Sequence, residues 1–359
     1  MNLIVEKEKV KTILDIVQGI IEKRTTMPIL NTILLEAKEK TLIKATNLEK
    51  SIVASLETQI IKEGSTCIPA KKFYEIIKSL NEDKIELILE ENYLKIKSGK
   101  SMFKLFTQSP EDFPKIKTLE LSKRTTLKKD DLQKSIEKVE YAVYQDETRL
   151  SLNGIYLHTN DGKLRFVASD GYRLAYNEID YDGENIDVLI PKKAINDIKK
   201  ICKDSKSQEI YLFIESNMAS FETENINFIT RLNEAKFPNY KEVIPNNNMK
   251  AYINKNQLIN SIEKLLTIAD EMTKSIIINI DENYLKMNTT NSEVGEAEDE
   301  VEAKYDGEKL TIGFNGEYLL DAIKHVNSDT IEMSFKDSQT AVIISGDSEY
   351  KALVMPIRI

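Results

Sequence analysis

Two cysteines and two histidines are all that this 359-residue chain holds of either type. Cys67 and Cys202 lie far apart and form no Cys-x-x-Cys pair, so neither a disulfide framework nor a zinc site is expected. That usage fits a reducing, cytoplasmic setting. His158 and His325 stand apart from each other and from any plausible nucleophile in sequence. There is no GxxxxGK(S/T), no GxGxxG and no HExxH segment, so mononucleotide, dinucleotide and zinc-protease signatures are all missing. No apolar run approaches the roughly 18 residues that cross a bilayer. The opening MNLIVEKEKVKTIL meets charge before any sustained apolar stretch, so no signal peptide and no membrane span are expected. An enzyme built on what remains would have to run on carboxylates or lysines.

What the chain does hold is a repeat. Hydrophobic residues at 41% and charged residues at 30% are ordinary for a globular protein, and the length suggests two or three domains. CIPAKKFYEIIKSL, LIPKKAINDIKKIC and TIGFNGEYLLDAIKHV place Ile68, Ile190 and Ile312 at one constant interval. Each copy runs into a strand pair of period-2 alternation, DKIELILEENYLKIKSG, QEIYLFIESNMASFETE and DTIEMSFKDSQTAVIISG. LIVEKEKVKTILDIV, TTLKKDDLQKSIEKV and AYINKNQLINSIEKL each set a short strand before an amphipathic helix. Helices are expected over 6–24, 69–80, 127–144, 191–203, 254–270 and 315–326. The expected class is α+β, three repeated domains of two helices on antiparallel sheets, with boundaries at 1–124, 125–247 and 248–359.

Charge is distributed unevenly. The net charge is −9, yet residues 191–203 hold five lysines against one aspartate. After Pro69, Lys71, Lys72 and Lys78 are expected outward, and after Pro191 the outward face is expected to run Lys192, Asn196, Lys199 and Lys203. Lysines on helix faces are commonly just solvated. An acidic protein that is basic along its helices also suits a polyanion held against those helices and repelled elsewhere. In GEAEDEVEAKY, Glu296, Glu298, Glu300 and Glu302 share one strand face, which water alone can satisfy.

KLRFVASDGYRLAYNEI reads as a hairpin, with Asp170-Gly171 as a two-residue turn between alternating strands. Catalysis by Asp170 and Arg173 would need a nucleophile or base that the neighbouring sequence does not offer. Taken alone, the pattern leaves open a turn, an enzyme site and a monomeric repeat scaffold for proteins.

RTTMPIL at 24–30, IPAKKFYEI, LNGIYL at 152–157, SDGYRLA at 169–175, FPNY at 237–240 and the terminal LVMPIRI occur in this order. Together they resemble the bacterial DNA sliding clamp family, the beta subunit of DNA polymerase III, from Asn2 to Ile359. The resemblance implies a non-enzymatic, cytoplasmic and nucleoid-associated processivity factor without metal or cofactor. It also implies a head-to-tail homodimer closed into a six-domain ring on duplex DNA, helices lining the hole. Its implied partners are the replicative polymerase, the clamp loader, repair polymerases and mismatch-repair or ligase factors, which dock through short linear motifs. Their groove would draw on Leu152, Ser169, Gly171, Tyr172, Arg173, Leu174, Pro238, Val243, Asn315, Tyr318, Val354, Met355, Pro356, Ile357 and Arg358. Arg24 matches a family position near DNA, and Lys72, Lys192, Lys193 and Lys199 join it from the helix faces. Phe103, Leu105 and Ile268 match the subunit joint. Tyr172, Ser169 and Glu242 depart from the family's usual His, Thr and basic residue, so the preferred peptide is expected to differ.

Overall fold

Short strands with alternating burial make up most of the molecule. The computed structural model describes residues 1–22, 25–117, 119 and 124–359. Among these residues, strands and helices recur in three similar rounds, the α+β arrangement that the repeats predict. The helices are α1 (Lys7–Val17), α2 (Ala70–Ser79), α3 (Lys129–Val139), α4 (Lys192–Asp204), α5 (Lys255–Leu266) and α6 (Gly316–Lys324). Those that follow Ile68, Ile190 and Ile312 are α2, α4 and α6. Their apolar stripes are buried: Phe73 and Ile77 in α2, Ala194, Ile195, Ile198 and Ile201 in α4, and Leu319, Ala322 and Ile323 in α6.

Three helices are shorter than their apolar periodicity predicts. The first stops at Val17, the third at Val139 and the fifth at Leu266. Beyond them the backbone tightens into i→i+3 bonds, Val143 N to Glu140 O at 3.1 Å and Ile268 N to Leu265 O at 3.1 Å. Ile20 and Val143 are therefore buried as predicted, but from turns rather than from helices.

Contacts divide the chain into two compact units, residues 1–133 with 193–232, and residues 134–192 with 233–359. Neither unit follows a repeat boundary, since each takes half of the middle repeat. The first unit holds a five-stranded and an eight-stranded sheet. In the latter, strand Ile226–Arg231 pairs antiparallel with strand Lys50–Leu56, fusing strands from two repeats into one sheet. The second unit holds a twelve-stranded sheet, where strand Arg173–Asp180 pairs with strand Tyr350–Val354 in the same manner. Within the units α1 packs on α2 and α5 on α6.

Of the strand edges left open among the described residues, two matter below. Strand Ser101–Phe106 is outermost in its sheet. Strand Gly295–Tyr305 pairs along one side with strand Tyr284–Asn291, but on the other only Ala303–Tyr305 meet strand Met249–Asn254. Its glutamates 296, 298, 300 and 302 are exposed while Val301 and Ala303 are buried, the alternation expected of a half-buried strand.

Candidate functional site

The hairpin expected at Asp170-Gly171 is present, with a longer loop. Ser169 pairs with Leu174, so the loop spans Asp170 to Arg173 rather than two residues. Asp170 explains the difference. Its Oδ1 accepts the backbone N–H groups of Tyr172 at 2.9 Å and Arg173 at 3.0 Å, which closes an Asx-type turn. Ser169 Oγ accepts from Gly171 N at 3.2 Å and donates to Arg173 O at 2.8 Å. Gly171 sits at φ +92°, a conformation that costs glycine little. The loop thus holds the Tyr172 side chain out, 61% exposed.

Arg173 belongs to the frame of this loop. Its guanidinium donates to Asp170 Oδ2 at 3.0 Å, to Asp321 Oδ2 at 2.5 Å and to Tyr141 O at 2.9 Å. It also lies 4.3 Å over the ring of Tyr318. Burial opposes its charge, and the bonds to Asp321 and Asp170 outweigh burial, so its pKa is raised. With Asp170 engaged in the same network, neither residue is poised as an acid, a base or an electrophile.

Beside the loop lies an apolar groove of about 340 Å³. Of the residues predicted for it, Leu152, Ser169, Gly171, Tyr172, Arg173, Leu174, Pro238, Val243 and Met355 line it. Its floor is a small buried cluster in which Leu174 meets Val167, Phe237, Tyr240 and Leu353. Phe237, Asn239, Tyr240, Ala341 and Leu353 line the groove without having been predicted. Phe237, Asn239 and Tyr240 lie in FPNY and Leu353 opens LVMPIRI, which were the available signals; Ala341 had none. Tyr240 is held by His158, whose Nε2 lies 2.8 Å from the phenol oxygen. Burial, then Arg165, lowers the His158 imidazole from its ordinary value, which favours the neutral form in this cluster.

Six predicted residues lie outside the groove lining. Val354 is fully buried because it ends the strand that pairs with Arg173–Asp180. Asn315 is spent as the cap of α6, accepting from Glu317 N at 2.9 Å and Tyr318 N at 3.2 Å. Tyr318 lies under Arg173. Met355 N donates to Tyr172 O at 2.8 Å, and beyond it Pro356, Ile357 and Arg358 leave the groove. Ile357 N donates to Gly313 O at 2.8 Å, which pins the terminal segment to strand Leu310–Asn315. Glu242 is exposed and accepts from the Asn239 side chain at 2.6 Å.

On the helices, Lys71, Lys72 and Lys78 are exposed as predicted, and Lys72 pairs with Glu75 at 2.8 Å. The outward face of α4 is rotated from its prediction. Lys193, Asn196, Lys200 and Lys203 are exposed, whereas Lys192 and Lys199 are half-buried. Lys192 donates to Gln145 O at 3.0 Å. The reason for the rotation is Asp197, which points inward and pairs with Lys50 at 2.6 Å. Arg24 lies outside the described residues. Phe103 and Leu105 are half-buried on the open strand Ser101–Phe106, beside Met102 and Phe106 at 56% and 83% exposure. Ile268 is half-buried after α5.

Three rounds of two helices each, with antiparallel sheets fused between rounds, define the class of the DNA clamps. The chain matches the DNA polymerase III beta subunit N-terminal domain over residues 1–117, the central domain over 126–239 and the C-terminal domain over 241–358. It is 32% identical to the beta sliding clamp of Caulobacter vibrioides, over 100% of both chains. It superposes on the DNA polymerase III beta subunit of Thermotoga maritima with TM-score 0.94 and 30% identity, covering 100% of this chain and 99% of that one. The C. crescentus beta sliding clamp matches equally, with TM-score 0.94, 30% identity and 100% coverage of both chains; it was solved with polyethylene glycol at a region proposed for beta-motif tethering. The chain belongs to the DNA polymerase III beta subunit family, the sliding clamps, which are non-catalytic processivity factors.

Proposed function

We propose that the groove of the second unit receives short linear motifs of the polymerase, the clamp loader and repair factors, while the chain encircles duplex DNA as a homodimer. The observation that carries the docking role is a preformed apolar slot walled by three chain-distant segments: the Asp170–Arg173 loop, residues 237–243 and Met355. Tyr172, Val243 and Met355 rise at its rim at 61%, 59% and 44% exposure, a large apolar display for one small slot. A peptide with aromatic or aliphatic anchors would cover them, and the Met355 thioether can repack for different partners. In C. crescentus, polyethylene glycol occupies a region proposed for such tethering.

For DNA, Lys193, Lys200 and Lys203 of α4, with Lys71, Lys72 and Lys78 of α2, are the exposed cations of these two helices. They would attract phosphates without reading bases. Changing Lys193, Lys200 and Lys203 to Glu is expected to weaken duplex binding and to flatten its salt dependence, by about 0.9 in log–log slope per lost phosphate contact. Fluorescence anisotropy on a duplex across a salt series measures both, and unchanged values would remove α4 from the DNA face. The subunit joint is assigned to Phe103, Leu105 and Ile268, with the open strand Ser101–Phe106 meeting the open edge of Gly295–Tyr305 in the partner. The three domains are assigned to 1–124, 125–247 and 248–359.

A further inference from the structure

Phe237 and Tyr240, the two aromatic side chains that FPNY contributes to the groove, are both backed by one buried imidazole, His158. Tyr240 reaches it directly, its hydroxyl 2.8 Å from Nε2 and its ring centroid 5.6 Å from that of His158. Phe237 reaches it through Tyr156, whose ring stacks on Phe237 at 5.0 Å and on His158 at 4.9 Å. Tyr156 and His158 stand two apart in strand Gly154–Asn160 and so share one of its faces.

The surroundings of the ring suit its neutral form. In the strand register His158 lies opposite Arg165 on one side and Asp187 on the other. Asp187 and the Thr159 backbone favour a charged ring, but burial, Arg165 and Lys241 oppose it more strongly. The carboxylates nearby are engaged elsewhere. Asp187 accepts from the Tyr156 hydroxyl at 2.9 Å, and Glu178 accepts from Arg165 Nε at 3.1 Å and from Tyr176. Arg165 Nε also donates to the Tyr176 oxygen at 2.8 Å. Among the described residues, no carboxylate is hydrogen-bonded to the imidazole.

The phenol is the donor of the Tyr240–His158 pair. Burial pushes Tyr240 up to about 12, so it holds its proton near neutral pH. Among the described residues its hydroxyl makes no hydrogen bond except the one to His158, and a buried donor left without an acceptor is costly. Nε2 therefore accepts, which requires that it carry no proton. A proton placed there would strand the Tyr240 hydroxyl and set an imidazolium against Arg165 and Lys241.

We propose that His158 is a positioning residue of the groove, its neutral ring fixing Phe237 and Tyr240 from behind, so that a docked motif and a proton on His158 oppose each other. The inference rests on the docking role proposed above. A peptide lying on Phe237 and Tyr240 needs both rings in this arrangement, and it takes further water from the cluster, which disfavours the imidazolium still more. Docking then releases part of a proton, and affinity falls as the pH falls. The steepest loss that one proton allows is about tenfold per pH unit.

The test titrates a capped, labelled polymerase-tail peptide free of Asp, Glu and His onto the full-length protein, from about pH 8 to about pH 5, across the ordinary imidazole range. Wild type is expected to bind at least about fivefold more weakly at the acid end. His158→Gln sets an acceptor oxygen near the place of Nε2 and takes no proton. It should bind about threefold more weakly than wild type near neutral pH and show no further loss in acid. A wild-type affinity that is flat with pH, or an acid loss that survives in His158→Gln, overturns the inference and leaves the groove standing. A second measurement needs no variant at 158. The chain's two histidines give two imidazole proton signals by NMR, told apart with His325→Asn. Saturating peptide should move the His158 midpoint to lower pH, and an unmoved midpoint overturns the coupling. Wild type that fails to bind the peptide even at the alkaline end overturns the docking role, and the coupling falls with it.

Discussion

Lys50→Met is expected to lower the unfolding free energy by about 3–5 kcal/mol, the usual cost of stranding one member of a buried ion pair. The Lys50 and Asp197 side chains are 10% and 4% exposed. Removing the ammonium leaves the Asp197 carboxylate and the carbonyls of Gly19 and Lys193 without that donor. The chain cannot relax easily around them, because a Cβ on Gly19 would already lie 2.0 Å from Asp197 Oδ1. Burial raises the Asp197 carboxyl above its ordinary 3.8 even with Lys50 opposing it. A raised carboxyl binds its proton more tightly in the folded state, so its contribution is kept at low pH and lost as pH rises through the folded value. Acid should therefore narrow the gap between Lys50→Met and the wild type, and alkali should widen it. Adding Asp197→Leu should recover most of the loss, since no charge is then stranded. Urea unfolding at two pH values reads all of this, and a loss below about 1 kcal/mol would place the pair among ordinary surface bridges.

Changing Val243 and Met355 together to Asp is expected to cost a polymerase-tail peptide at least about 2 kcal/mol of binding, roughly thirtyfold in affinity. Both side chains are exposed at the groove rim, so the substitution charges the slot without cutting into the buried core. The floor of Leu174, Phe237 and Leu353 stays as it is. Fluorescence polarisation with the labelled peptide measures the loss, and intact thermal unfolding separates it from misfolding. Peptide affinity within twofold of the wild type would remove the groove from the docking role. Deleting residues 356–359 is a useful contrast, because they lie on strand Leu310–Asn315 rather than in the slot.

The repeat was readable because Ile68 and Ile190 each stand two residues before a helix, while Ile312 marks the third copy two residues out of step, Phe314 being the residue two before α6. Alternation identified the hairpin around Asp170, but not the length of its loop, which the Asp170 carboxylate sets through two backbone bonds. Alternation likewise cannot tell which face of the last strand meets the groove, so Val354 was expected there and proved to be core. Helical spacing located the basic face of α4 to within about a residue. Lys199 and Lys200 exchange roles because Asp197, which looks like a surface residue in sequence, is drawn inward by Lys50. That pair is separated by 147 positions and the Arg173–Asp321 pair by 148, so nothing local announces either one. Family resemblance supplied the groove's general location; the reason Arg173 frames it instead of rimming it is visible only in three dimensions.

The measurement that bears most directly on the clamp assembly is negative-stain electron microscopy of the purified full-length protein, with class averages. A closed annulus of six similar lobes around a central hole is the predicted result, each chain contributing three. Compact particles or isolated three-lobed rods at micromolar concentration would contradict it.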